Sequence, residues 1–584
     1  MKKTVLLLMA TMVALAAVAG RAYSKRQVMI EMRDGVKLYT QIFAPKVTPQ
    51  GGSPVILVRS PYSIAPYQDD SVTYAEDFWL DSIYANHGYI IVMQNVRGTY
   101  LSEGQFVQVR PYVPNKQAGQ TDDANDTIEW LISHLATNGR VGIKGTSYLG
   151  FYATVGSLCG HPALKAVSPQ APVSDWWAGD DIHHNGAFML EDIYDFGQSF
   201  FRTRPAPTTK SQRPIAPVDT FSQVFFSRPL GQVLAGLDTV PFWNDIINHP
   251  DQDDYWLQRD PTQHLVHVKP AMMVVGGLYD AEDCYGAWHT WRQLKRLSPA
   301  TDVYLVEGPW YHGAWSDPEY QNLDGAWFGK GSAQYFYSQI EYPFFAYYLE
   351  GKGQKPAPVT LLPSGQTAKK AMKDVPCDGM WQRLPQWPPA CMRQVTLNLG
   401  HGTVTSDPLH PVPYMARQEQ SRSRDKAYMA ADQRFASKRA DVLTFDLGQV
   451  RDTLRLMGPV SAKLELNTTG SDLDVIVKLI DVRPDGYQML VRGDVMPARY
   501  RQGTSQSVPV EPGKPFEVGM TMPDVAHMML PGHRLMVQVQ FTCYPLVAVC
   551  PQTFVPNRYK AQAADYQSAQ VTLQGGTISL PVVK

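Results

Sequence analysis

Residues 141–150 read Val-Gly-Ile-Lys-Gly-Thr-Ser-Tyr-Leu-Gly and run directly into the apolar stretch 151–158. A short β-rich run, a turn of small residues and a helical pattern in succession make an elbow. A Ser held on it exposes its hydroxyl at the sheet edge and aims the next backbone N–H at a reacting carbonyl oxygen. Small residues are needed around it because strand and helix approach closely. The strict Gly-x-Ser-x-Gly spacing is not kept, since Leu149 stands where the second Gly belongs and Gly150 follows. The flanking strand and helix nonetheless make Ser147 the candidate nucleophile.

Outward from the elbow, the chain alternates. Pro54-Val55-Ile56-Leu57-Val58, Tyr89-Ile90-Ile91-Val92-Met93, Ala271-Met272-Met273-Val274-Val275 and Val303-Tyr304-Leu305-Val306 are continuous apolar runs, as a parallel sheet covered on both faces requires. Helical patterns separate several of them: residues 126–135 place Ile128, Leu131, Ile132 and Leu135 on one face, and 286–294 read similarly. Such alternation predicts an α/β domain with right-handed crossovers. Two alternating runs meeting at Asp34-Gly35 predict a hairpin over 29–45. Residues 181–262, rich in aromatics and Pro with helical pieces at 188–196 and 241–247, interrupt the alternation as a cap over a site would. After Gly351-Lys352-Gly353 the texture becomes short alternating strands between Gly, Pro, Asn and Asp turns, which predicts an all-β sandwich or jelly roll. The expected organisation is a core in two parts, 26–180 and 263–355, a helical cap at 181–262 and a β domain at 375–584.

The 584 residues correspond to about three or four structural units. Hydrophobic residues are 44% and charged residues 18%, so a largely disordered chain is excluded. Lys+Arg of 53 against Asp+Glu of 54 leaves no basic footprint for a nucleic-acid backbone. Lys2 and Lys3 before an apolar run of about 15 residues, ended by Ala17-Val18-Ala19, read as a signal peptide over 1–19, since a spanning helix needs roughly 20. A periplasmic or secreted protein is expected, with no membrane association once the leader is removed. Six Cys are too few for a disulfide framework, although export permits a Cys543–Cys550 or Cys377–Cys391 bridge.

A Ser nucleophile needs a His base oriented by a carboxylate, in the chain order Ser, acid, His. Asp280 ends the run begun at Pro270. Of the three nearby candidates, His289 lies within a helical pattern and His401 in a β-rich turn, whereas His312 follows a strand in Gly-Pro-Trp-Tyr-His-Gly and can fold back to Ser147.

These residues carry a resemblance. Ser147 in Gly-x-Ser-Tyr-x-Gly, Asp280, and His312 in Gly-Pro-Trp-x-His resemble the α-amino acid ester hydrolases, which group with cocaine esterase, glutaryl cephalosporin acylases and X-Pro dipeptidyl-peptidases. So do Arg59-Ser60-Pro61-Tyr62, Val96-Arg97-Gly98-Thr99-Tyr100-Leu101-Ser102-Glu103-Gly104 and Pro531-Gly532-His533-Arg534. The resemblance implies an α/β-hydrolase domain with an inserted helical cap and a C-terminal jelly roll. It also implies an oxyanion hole made by the Tyr148 N–H and the Tyr62 hydroxyl, no cofactor and no metal, a small α-amino acyl ester or amide as substrate, and a homo-oligomer, often a tetramer. The same resemblance assigns Glu282, Asp283 and Asp181 to the substrate's α-ammonium. Read alone, Asp280-Ala281-Glu282-Asp283 is equally an acidic loop in water, and Asp180, Asp181, His183 and His184 also have metal-ligand character. The competing expectations are an X-Pro dipeptidyl-peptidase or glutaryl acylase, and a catalytically inactive jelly-roll protein binding a glycan or cell surface.

Overall fold

The computed structural model describes residues 23–69, 82–113, 120–202, 207–211, 229–234, 240–365, 375–416 and 424–584. The expected leader at 1–19 and parts of the cap lie outside them. Among the described residues, no helix is long and apolar enough to cross a membrane.

Ten strands form one sheet: β1 (Tyr23–Glu31), β2 (Lys37–Pro45), β3 (Ser53–Ser60), β4 (Ile90–Asn95), β5 (Thr137–Thr146), β6 (Leu164–Gln170), β7 (Ala271–Gly277), β8 (Val303–Gly308), β9 (Val359–Leu361) and β10 (Gln382–Leu384). Their spatial order is β1-β2-β4-β3-β5-β6-β7-β8-β9-β10. From β4 to β9 all neighbours are parallel, and antiparallel pairs close both edges. The β1–β2 hairpin turns at Gly35, whose φ of 83° is a conformation a side chain disfavours. Strands β3, β4, β7 and β8 are buried along their whole length. That is why they appear in sequence as unbroken apolar runs rather than alternating ones.

Helices cover both faces. In α1 (Gln120–His134), Ala124, Ile128 and Leu131 are buried at helical spacing. α2 (Tyr148–Gly156) is buried almost throughout, so it packs in the interior. The cap contributes α3 (Leu190–Phe200) and α4 (Pro241–Asn248), and α5 (Cys284–Leu297) follows β7. α3 begins two residues later than expected because Ala187 and Phe188 pair back on His183 and His184 in a small ladder.

The C-terminal half is two antiparallel sheets. One contains β11 (Arg393–Leu399), β12 (Gly402–Ser406), β14 (Leu454–Thr468), β17 (Phe516–Met529) and β19 (Ala569–Val583). The other orders β13 (Leu443–Gln449), β18 (Arg534–Gln540), β15 (Asp474–Val482) and β16 (Gln488–Pro497). Leu464, Val475, Val537 and Val571 lie in the shared core. A buried polar chain then joins this half to the first. His533, from the Pro-Gly-His-Arg motif, is 2.7 Å from Asp481 Oδ1 through Nδ1, and His527 Nε2 is 3.0 Å from Asp481 Oδ2. His527 Nδ1 meets Ser364 Oγ at 2.7 Å, and the Tyr279 hydroxyl donates to Ser364 Oγ at 2.8 Å. Burial alone would raise Asp481, but the two imidazoles hold it down at about 2. Tyr279 immediately precedes Asp280.

Candidate active site

Ser147 ends the β5 turn with φ 64° and ψ −127°, a strained conformation for a residue with a side chain. The strain is imposed from both sides. A Cβ on Gly145 would lie 2.3 Å from the Leu149 carbonyl oxygen, and one on Gly150 would lie 2.8 Å from the Gln170 oxygen and Pro172 Cα. The close approach of α2 to β6 therefore falls at 150, which explains why Leu149 is tolerated at the position the strict motif gives to Gly. Gly150→Ala should lower stability by about 1–3 kcal/mol, since the clash is with backbone, and a thermal melt reads this directly.

Asp280 sits at the end of β7 with its side chain fully buried. Its Oδ1 accepts the backbone N–H groups of Glu282 at 2.8 Å and Asp283 at 3.0 Å, leaving Oδ2 to His312 Nδ1 at 2.8 Å. Those two backbone bonds fix the carboxylate plane, and the carboxylate fixes the imidazole. His312 comes from the loop after β8. Burial pulls the His312 imidazolium down, but Asp280, Glu282 and Asp181 outweigh it and lift it to about 10.

Asp181, Glu282 and Asp283 converge on the same place. The Asp181 N–H donates to the Glu282 carbonyl at 3.0 Å, and Asp181 Oδ2 accepts the Trp176 indole N–H at 2.8 Å. Ser147 Oγ donates to Asp283 Oδ2 at 3.5 Å, while Asp283 Oδ1 is buried without a hydrogen-bond partner. Burial, reinforced by Asp181, Asp180, Asp280 and Glu282, pushes Asp283 well above the usual carboxylate range. Burial pushes Glu282 up to about 7, with His312 opposing and Asp280 and Asp181 adding. Asp180 points elsewhere: its Oδ2 accepts from Ser174 N, Ser174 Oγ and Asp175 N at 2.7–2.9 Å, so it shapes the start of the cap.

Ser147, Asp181 and Glu282 line a cavity of about 340 Å³, together with Tyr62, Tyr148 and, from α3, Asp192, Ile193, Asp195, Phe196 and Ser199. A separate void of about 50 Å³ behind the Asp280 loop, toward the jelly roll, is too small for an acyl group. Tyr62 is held by its own backbone, its N–H on Ser60 Oγ at 3.0 Å and its carbonyl accepting Asn95 Nδ2 at 2.8 Å. Its ring stands edge-on to Tyr148, centroids 6.5 Å apart. Tyr148 opens α2, and its buried hydroxyl accepts from the Val109 N–H and donates to Gln108 Oε1, so the hydroxyl is engaged within the protein.

The remaining sequence candidates are placed elsewhere. His289 Nε2 is 3.2 Å from Asp260, and His401 lies between β11 and β12. His183 contacts the Trp176 carbonyl and the Tyr559 hydroxyl, and His184 contacts Asp494. Cys159, Cys284, Cys377, Cys391, Cys543 and Cys550 are all free thiols. Two contributions escaped the sequence reading. The polar face of α3 was legible in principle from Asp192, Asp195 and Ser199 at i, i+3 and i+7. Arg424 was not: it donates to Glu282 Oε1 at 2.8 Å and the Ala281 carbonyl at 3.1 Å, and pairs with Asp192 of α3.

An alcohol on a strained elbow, in one cluster with an imidazole oriented by a buried carboxylate, is built for acyl transfer, and this places the protein among the serine hydrolases. The comparisons agree. Residues 34–314 match the X-Pro dipeptidyl-peptidase (S15 family) pattern, and residues 350–575 match the X-Pro dipeptidyl-peptidase C-terminal non-catalytic domain. The sequence is 27% identical to cocaine esterase of Rhodococcus sp. (strain MB1 Bresler) over 567 residues, 89% of this chain and 90% of that enzyme. In structure it is similar to an aminopeptidase from the marine sediment archaeon Thaumarchaeota archaeon, with a TM-score of 0.86, 30% identity, and coverage of 96% and 97% of the two chains. An α-amino acid ester hydrolase gives a TM-score of 0.85 at 31% identity, again covering 96% and 97%. The chain belongs to the X-Pro dipeptidyl-peptidase-like (S15) superfamily of serine hydrolases.

Proposed function

We propose that the protein hydrolyses esters and amides of α-amino acids through an acyl-enzyme. His312, oriented by Asp280, takes the Ser147 proton as the hydroxyl attacks the carbonyl. The Tyr148 N–H and the Tyr62 hydroxyl receive the oxyanion, and His312 returns the proton to the leaving group. Water then releases the amino acid, and an amine in its place gives acyl transfer. The carrying observation is the set of three carboxyl groups, Asp181, Glu282 and Asp283, gathered at the nucleophile with Asp283 Oδ1 unpartnered. An ammonium group supplies the charge and the donors that such a cluster lacks. The two relatives at 30% identity or above, named an aminopeptidase and an α-amino acid ester hydrolase, support the same reading.

The test is a substrate pair. Each charge-assisted hydrogen bond contributes about 1.5–3 kcal/mol, so phenylglycine methyl ester should exceed phenylacetic acid methyl ester in kcat/KM by at least about 100-fold. Asp181→Asn should narrow that ratio by at least about tenfold. Equal rates on the two esters, or faster cleavage of an X-Pro anilide or a glutaryl amide, would replace this reading with one of the other family activities.

A further inference from the structure

Two of the three carboxyl groups assigned to the substrate are already engaged with the catalytic pair. His312 Nε2, the atom that must receive the Ser147 proton, stands 3.3 Å from Glu282 Oε2. Ser147 Oγ donates to Asp283 Oδ2. Both partners thus face the acidic cluster, Ser147 through a hydrogen bond to Asp283 and His312 Nε2 through a close charge pair with Glu282. Glu282 is not there by chance rotation. Arg424 holds its other oxygen, Oε1, at 2.8 Å and the adjoining Ala281 carbonyl at 3.1 Å, with its side chain only 4% exposed. With Oε1 tethered, Oε2 is the oxygen turned toward the imidazole.

The geometry points to Glu282 and Asp283 as a lock on His312 and Ser147 that the substrate's own ammonium opens, so that the ammonium assembles the reactive pair as well as anchoring the substrate. This rests on the α-ammonium reading above and adds a kinetic role to it. The groups facing His312 are Asp280, Glu282 and Asp283 from the loop after β7 and Asp181 from the start of the cap, and Glu282 in turn faces Arg424 and Lys426 from the jelly-roll side. Carboxyl groups outnumber the cations at the imidazole, so in the resting arrangement His312 is held as an imidazolium, which has no lone pair for the Ser147 proton. An ammonium entering among Asp181, Glu282 and Asp283 supplies the missing positive charge. As the ammonium draws Glu282 and Asp283 to itself, His312 loses the carboxylate that holds its Nε2 proton, and that proton leaves for solvent. The charge of the cluster is conserved, Nε2 becomes an acceptor, and Ser147 Oγ is released from Asp283. An ester without the amino group binds beside the locked pair and must wait for deprotonation by pH alone.

The experiment is the pH dependence of kcat/KM for phenylglycine methyl ester and phenylacetic acid methyl ester in the wild type and Glu282→Gln. In the wild type the limb requiring neutral His312 should lie at least about one pH unit higher for the des-amino ester than for the amino ester. Glu282→Gln removes the lock's charge. It should move the des-amino limb down by about one unit or more and raise its kcat/KM at pH 7 by about tenfold, while the amino ester loses about tenfold or more. A measurement on the wild type alone guards against a variant that folds poorly. Phosphonylation of Ser147 by a neutral organophosphate should have its pH midpoint above about 8, against an unperturbed imidazole near 6.5. A midpoint near 6.5, coincident limbs for two esters that differ in rate, or a Glu282→Gln des-amino limb that does not move would each overturn the lock and leave the α-ammonium reading standing. Equal wild-type rates on the two esters would remove that reading itself.

Discussion

Ser147→Ala should leave a folded protein whose ester turnover is lower by at least about 10⁴-fold, because triad members act as a unit and residual catalysis comes only from binding and the oxyanion donors. His312→Ala should lose a comparable amount, and the double variant little more. The substitution removes a single hydroxyl at a residue strained to φ 64°, so the melting temperature should hold or rise slightly. Purified Ser147→Ala that hydrolyses at a rate near the wild type's would refute the acyl-enzyme mechanism. A loss of activity accompanied by a lost melting transition would point to the elbow as a folding element.

Tyr62→Phe is the second large effect. An oxyanion donor acts on charge that develops only in the transition state, so kcat should fall by about 100- to 1000-fold with KM little changed. The backbone bonds that seat Tyr62 on Ser60 and Asn95 do not involve its hydroxyl, so the ring should keep its place in the variant. A drop below about threefold would show that Tyr62 only walls the cavity and that the second donor lies elsewhere. A rise in KM with kcat unchanged would mean that the hydroxyl binds the ground state.

The elbow was legible because everything that makes it is local: strand, small residues, Ser and helix follow one another in a dozen positions. The central strands were legible because burial on both faces leaves a continuous apolar signature, as at 54–58 and 89–93. Strand β5 runs from Thr137, well before the apolar run at 141–143, since its first residues are polar and partly exposed while still pairing with β3. The short strands β9 and β10, three residues each, carry no period to detect. The cleft is where reading failed most. Arg424 sits 142 residues from Glu282, in a stretch with neither motif nor period, and only the folded chain brings the guanidinium to the acid loop. Asp181 was found through family resemblance, and the structure shows the backbone bond to Glu282 that a single sequence does not contain.

The polar chain from His533 through Asp481, His527 and Ser364 to Tyr279 has a consequence for synthesis. A nascent chain carries Ser147, Asp280 and His312 outside the ribosome long before residues 481, 527 and 533 exist. At roughly 5–20 residues per second, the interval between His312 and His533 is on the order of 10–40 s. During that time the Tyr279 hydroxyl has Ser364 at most, and the histidines and aspartate that fix Ser364 in turn are still missing. Tyr279, the residue before Asp280, is therefore secured by the last third of the polypeptide. A chain ended before residue 481 should hold its 279–283 loop less firmly than the full chain does, which faster amide hydrogen exchange there would register.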